Sequence, residues 1–143
     1  MKIVIAADHG GYDIKEVIKT ALTEDGNGLV DLGTDNGETS VDYPVFAKAL
    51  CEKIKSGEAE LGILCCGTGI GMSMAANKQK GIRAAVLSDE FSAEMTRKHN
   101  NANVLCLGGR VVDGATAVKL ARIFVTTEFE GGRHQRRVDM LED

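Results

Sequence analysis

The chain has no tryptophan, a single proline, and only two tyrosines and four phenylalanines in 143 residues. A core without aromatic bulk must be aliphatic, which suits Val/Ile/Leu-rich parallel strands and argues against an aromatic-rich β-sandwich. Its four cysteines, Cys51, Cys65, Cys66 and Cys106, contain no C-x-x-C pair. A zinc site or disulfide framework is therefore not expected, and adjacent Cys65 and Cys66 on a strand would face opposite ways. No apolar run approaches the roughly 20 residues of a membrane span. Only five apolar residues follow Met1-Lys2, too few for a secretory signal, so a cytoplasmic location with reduced thiols is the expectation. The basic excess of a nucleic-acid binder is also missing, since the formal net charge is −4. Any anion bound here must be gripped by a local basic cluster.

What is present is an alternation of strand and helix signals from one end to the other. Ile3 to Ala7 is an apolar run, and Ile14, Val17, Ile18, Ala21 and Leu22 then form a helical stripe. Leu29 to Leu32 reads as a second strand, and Pro44 suits the first turn of a second helix. Leu61 to Cys66 is a third strand, followed by a helix from Met72 to about Gly81. Ile82 to Leu87 and Val104 to Leu107 read as the fourth and fifth strands. Helices are expected near residues 89–98, around Val118 to Val125, and beyond about 134. Five strand–helix units predict a single α/β domain over residues 1–143, doubly wound and Rossmann-like, with a five-stranded parallel sheet and helices on both faces. Ligands of such folds bind at the carboxyl ends of the strands.

The segment Cys66-Gly67-Thr68-Gly69-Ile70-Gly71 stands at such an end. Three glycines in five positions let the backbone approach a ligand, and amides at a helix start suit a negative oxygen. A thiol there is a candidate base beside an anion-stabilising nest, the combination that enolisation requires. An inert core cysteine in an ordinary turn is an equally good reading of the motif alone. Rival motifs fail on spacing. A P-loop needs Gly-Lys-Ser/Thr, and a Cys-based phosphatase needs Arg where Met72 stands. A dinucleotide fingerprint lacks its third glycine at Met72, although Asp89 lies near the right distance for a ribose contact.

Two further pairs follow or precede strands: Asp8-His9 after the first, and His99-Asn100 before the fifth. Histidine is suited to proton transfer near neutral pH, although a lone His at a helix end is more often a surface residue. His99-Asn100 belongs to a connection that starts from the same sheet edge as Cys66. Tyr43, beside Pro44, either starts its helix or faces substrate. Arg133 and Arg137 are four apart and share a face on a helix, a good match for phosphate oxygens. Arg110 could join that grip. The same residues also suit a solvated helix face or a contact between subunits.

Taken in order, these pieces resemble the type B ribose-5-phosphate isomerases. The resemblance runs through Asp8-His9-Gly10-Gly11, Asp42-Tyr43-Pro44, Cys66 to Gly71, Ala75-Ala76-Asn77-Lys78, Gly81-Ile82-Arg83-Ala84, His99-Asn100, Gly108-Gly109-Arg110 and Gly131-Gly132-Arg133-His134. It implies interconversion of ribose 5-phosphate and ribulose 5-phosphate without a metal or other cofactor. By position, Cys66 would shuttle the proton, while Thr68 and the amides of Gly67, Gly69, Ile70 and Gly71 would stabilise an enediolate. His99 would assist ring opening and Asp8 would hold substrate oxygens. His9, Arg133 and Arg137 would hold the phosphate, helped by Asn100 and Arg110. The resemblance also implies a homodimer, in some members paired into a tetramer, with active sites at the subunit interface. Ser88-Asp89-Glu90 through Asn101 also resembles a galactose-6-phosphate isomerase subunit. The open alternatives are therefore a six-carbon substrate, allose 6-phosphate or galactose 6-phosphate, or a non-catalytic nucleotide or flavin binder.

Overall fold

A computed structural model describes residues 1–143. Its five strands are β1 Lys2–Ala7, β2 Gly28–Asp31, β3 Leu61–Cys66, β4 Ala84–Val86 and β5 Val104–Gly108. Six helices follow them: α1 Tyr12–Glu24, α2 Tyr43–Lys55, α3 Ile70–Asn77, α4 Glu90–Asn100, α5 Gly114–Thr126 and α6 Arg133–Leu141. A short 3-10 turn, His9–Gly11, leads into α1. All strand pairs are parallel, in the order β2-β1-β3-β5-β4. No helix is long and apolar enough to cross a membrane.

Residue alternation sorts the core into two layers. Ile3, Ile5, Ile63, Cys65, Leu105 and Leu107 face α1 and α5, joined by Ala93 of α4. Val4, Ala6, Leu64, Cys66, Val104 and Cys106 face α2 and α3. Strands buried on both sides explain the near-continuous apolar runs. Cys65 and Cys66 lie in opposite layers, as strand periodicity requires.

Helix ends follow local chemistry. Asp89 and Asp113 cap α4 and α5, accepting hydrogen bonds from Ser92 N at 2.9 Å and Thr116 N at 2.8 Å. The third helix stops at Asn77, short of the Gly81 that its spacing predicts. The Asn77 amide instead bonds both backbone groups of Ala84, at 2.8 and 2.9 Å, and pins the helix end to β4. The fourth strand shortens to Ala84–Val86 because Asn103 Oδ1 takes Arg83 N at 2.8 Å. A buried cation ties α1 to β2: Lys15 Nζ donates to both Asp31 carboxylate oxygens, at 2.9 and 2.8 Å.

The sheet's carboxyl edge is drawn tight around glycines. A Cβ on Gly11 would stand 2.2 Å from the carbonyl carbon of Cys65, and one on Gly108 would stand 2.6 Å from that of Thr68. Neither neighbour is a flexible side chain, so the backbone itself would have to move. Gly11→Ala is expected to cost about 3 kcal/mol and lower Tm by roughly 6–12 °C. Gly28, whose added Cβ meets nothing within 4 Å, is the control. Equal thermal melts for the two alanine variants would contradict this account of the edge.

Candidate functional site

Three loops converge at the carboxyl edge because β1, β3 and β5 are neighbours. Asp8 N donates to Cys65 O at 3.1 Å, Gly109 N to Cys66 O at 2.8 Å, and Arg110 N to Gly67 O at 3.0 Å. The site therefore lies where the chain reverses direction across the sheet, between β1 and β3.

Cys66 is the last residue of β3 and is 5% exposed. Its Sγ accepts the Gly69 N–H at 3.0 Å. Gly69 adopts a left-handed φ of 81°, which turns that amide back toward the sulfur and starts α3. A side chain at Gly69 would also press on Leu107, its Cβ 2.9 Å from the carbonyl carbon. Thr68 Oγ1 accepts the Ile70 N–H at 3.2 Å. The N–H groups of Gly67, Thr68 and Gly71 have no protein acceptor, leaving three donors around the sulfur loop. The other three cysteines are fully buried. Burial raises the Cys51 thiol to about 11 and pushes Cys65 and Cys106 up further. Those three are held as neutral core groups.

Around this loop stand the other residues of the same edge. Asp8 is buried, and its Oδ1 accepts from Gly10 N at 2.9 Å and Gly11 N at 3.2 Å, leaving Oδ2 without a protein partner. His9 Nδ1 accepts the Val41 N–H at 3.3 Å, which leaves the proton on Nε2 as a donor. Tyr43 lies against Gly71, with its ring 2.7 Å from where a Cβ would stand. Arg110 crosses Gly67, with Nη1 at 3.4 Å from the corresponding position.

The remaining candidates are elsewhere. Helix α4 starts at the carboxyl edge and descends the sheet, so His99 and Asn100 at its end sit at the amino edge. Asn101 O accepts Arg83 Nε at 3.0 Å there, just before β4. Eleven residues of helix carry them about 16 Å from the carboxyl edge. The connection starts at the same edge as Cys66, as expected, and its helix then carries His99 and Asn100 away from that edge. Arg137 joins His99, Asn100 and His134 around a cavity of about 330 Å³, and Arg133 begins the same helix. Neither arginine has an acidic partner. Within one chain, these residues and Cys66 do not meet.

Two residues not singled out in the sequence belong to this second group. The His134 ring stacks on His99 with centroids 4.3 Å apart, and Glu130 Oε1 lies 3.4 Å from His99 Nε2. A stack between segments 35 positions apart has no sequence signal. Asp89, the candidate ribose contact of a dinucleotide fold, is occupied as the α4 cap, and β5 separates its strand from β3. Met72, in place of a third glycine, is fully buried in the core.

Residues 3–141 match the family model described as Ribose/Galactose Isomerase. A putative sugar phosphate isomerase of Bacillus subtilis is 51% identical over 143 residues, covering 100% of this chain and 96% of that one. The ribose-5-phosphate isomerase B of Escherichia coli is 43% identical, with 98% and 93% covered. Among solved structures, the ribose-5-phosphate isomerase B of Clostridium thermocellum superposes with a TM-score of 0.96 at 48% identity, covering 99% of this chain and 95% of that one. That of Mycoplasma genitalium, with bound ribulose-5-phosphate, gives 0.93 at 44% identity, covering 99% and 93%.

Proposed function

The chain belongs to the ribose/galactose isomerase family, and from that premise we propose that it interconverts ribose 5-phosphate and ribulose 5-phosphate with Cys66 as the base. The observation that carries the reading is the sulfur accepting an amide at the mouth of a loop with three further free donors. Once the ring is open, the Cys66 thiolate takes the proton from C2 of the aldose. The electron pair moves onto the C1 oxygen, and the enediolate is held by the Thr68 hydroxyl and the free amides of Gly67, Thr68 and Gly71. The thiol returns the proton to C1 while the C2 hydroxyl proton passes to the C1 oxygen, leaving a carbonyl at C2, and the ketose results. The proton count is unchanged, and no redox partner is needed.

Asp8 Oδ2 is the free acceptor for a substrate hydroxyl, and Tyr43 stands against Gly71 at the same edge. His9 Nε2 and Arg110 supply phosphate donors from this edge. The role assigned to His99, ring opening, and the phosphate roles of Asn100, Arg133 and Arg137 require a second copy to bring its amino edge to this carboxyl edge. Ile70, Met74, Val86 and Phe91 are exposed at 48, 64, 41 and 71% and flank α3 and the β4 edge. That apolar strip supports a homodimer with shared sites, in which the whole domain acts as one isomerase unit in the cytoplasm.

A comparison of ribose 5-phosphate, allose 6-phosphate and galactose 6-phosphate turnover by the pure protein tests the proposal. The pentose phosphate is expected to give the highest kcat/KM, undiminished by a chelator. A preference for either hexose phosphate would replace the substrate while keeping the chemistry. Turnover of none, with a bound nucleotide or flavin recovered, would sink the enzyme reading.

A further inference from the structure

The group formed by His99, Glu130 and His134 has geometry beyond simple packing. Glu130 Oε1 lies 3.4 Å from His99 Nε2 and 3.7 Å from His134 Nε2, and neither contact is a hydrogen bond. The three donor atoms all lie within 4.8 Å of one another. With metal–ligand bonds of about 2.0–2.1 Å, adjacent ligands of a tetrahedral zinc ion stand about 3.3 Å apart. The carboxylate is therefore already near the right spacing from both rings. The stacked imidazoles must turn to aim their lone pairs at one point, and half-exposed His99 has room to do so.

From these distances we infer that His99, Glu130 and His134 form a binding site for a divalent transition metal, of the zinc class, whose occupancy withdraws His99 from the sugar. Two imidazoles and one carboxylate suit zinc, nickel or copper and disfavour magnesium and calcium. Arg133 and Arg137 set positive charge beside the ion and limit its affinity. The site is thus reversible and inhibitory, with water as a fourth ligand, and not a structural staple. Its metal-binding part stands independently, while inhibition rests on the role proposed for His99.

Calorimetric titration of the purified full chain with zinc is expected to show one ion per chain. Cobalt should give the visible absorption of a tetrahedral site, a readout independent of activity. Glu130→Gln, an exposed substitution, should weaken binding at least tenfold, and His134→Asn should do the same. Cys66→Ala should leave it unchanged. In the isomerase assay, zinc should inhibit the wild type reversibly on chelation and spare Glu130→Gln. Absence of zinc binding, equal binding of magnesium, or binding lost with Cys66 and kept in Glu130→Gln would each overturn the site. Zinc binding without inhibition would overturn the link to His99. A chain inactive without zinc, yet binding it at these residues, would instead count against the proposed activity.

Discussion

Cys66→Ala is expected to lower ribose 5-phosphate turnover by about 10²–10⁴-fold, the usual worth of a positioned base. The loss should fall on kcat, since in the proposed reaction the sulfur meets the reacting carbon while phosphate and hydroxyl contacts fall to other residues. Folding should be only modestly affected, because the change removes a single sulfur atom at the end of β3. Cys65→Ala is the matched control. That thiol faces the opposite layer, away from the loop, and burial raises its proton affinity. It should cost stability and leave kcat within a few-fold of wild type. Comparable losses of kcat in the two variants, with unchanged thermal melts, would remove Cys66 from the role of base.

Mixing two inactive variants is expected to restore activity. When Cys66→Ala and His99→Asn chains are co-expressed in equal amounts, half the dimers are mixed. Each mixed dimer holds one site with both defects and one with neither, so about a quarter of wild-type activity returns. The physical basis is the path of α4, which delivers His99 to the amino edge of the sheet while Cys66 stands at the carboxyl edge. A single chain cannot close that separation without breaking the helix. Sites completed within one subunit would leave the mixture as inactive as its components, and that outcome would exclude the shared arrangement. The signal is large against a background set by two crippled chains.

Much of the carboxyl edge was legible from residues alone. Strand runs at Ile3–Ala7 and Leu61–Cys66 match β1 and β3 closely, because strands buried on both faces show as unbroken apolar runs. Glycine-rich turns after β3 and β5 marked the loops that meet there. Errors clustered where one side chain overrode the periodic pattern, as when Asn77 ended α3 and Asn103 shortened β4. Such contacts join residues distant in sequence, so periodicity carries no trace of them. The Lys15–Asp31 pair and the His99–His134 stack were invisible for the same reason.

The sequence by itself determined the fold class, the strand end at Cys66 and the glycines that let a backbone loop start there. Local chemistry suffices for these, since apolar runs, helix starts and left-handed turns are properties of neighbouring residues. Only the tertiary structure decided the strand order, with β5 between β3 and β4, and so set Arg110 over Gly67 and carried Asp89 away. It also decided that the two halves of the candidate site lie at opposite edges of one sheet. Which strands become neighbours, and which edge a helix returns to, depends on packing across the whole core, where no local pattern reaches.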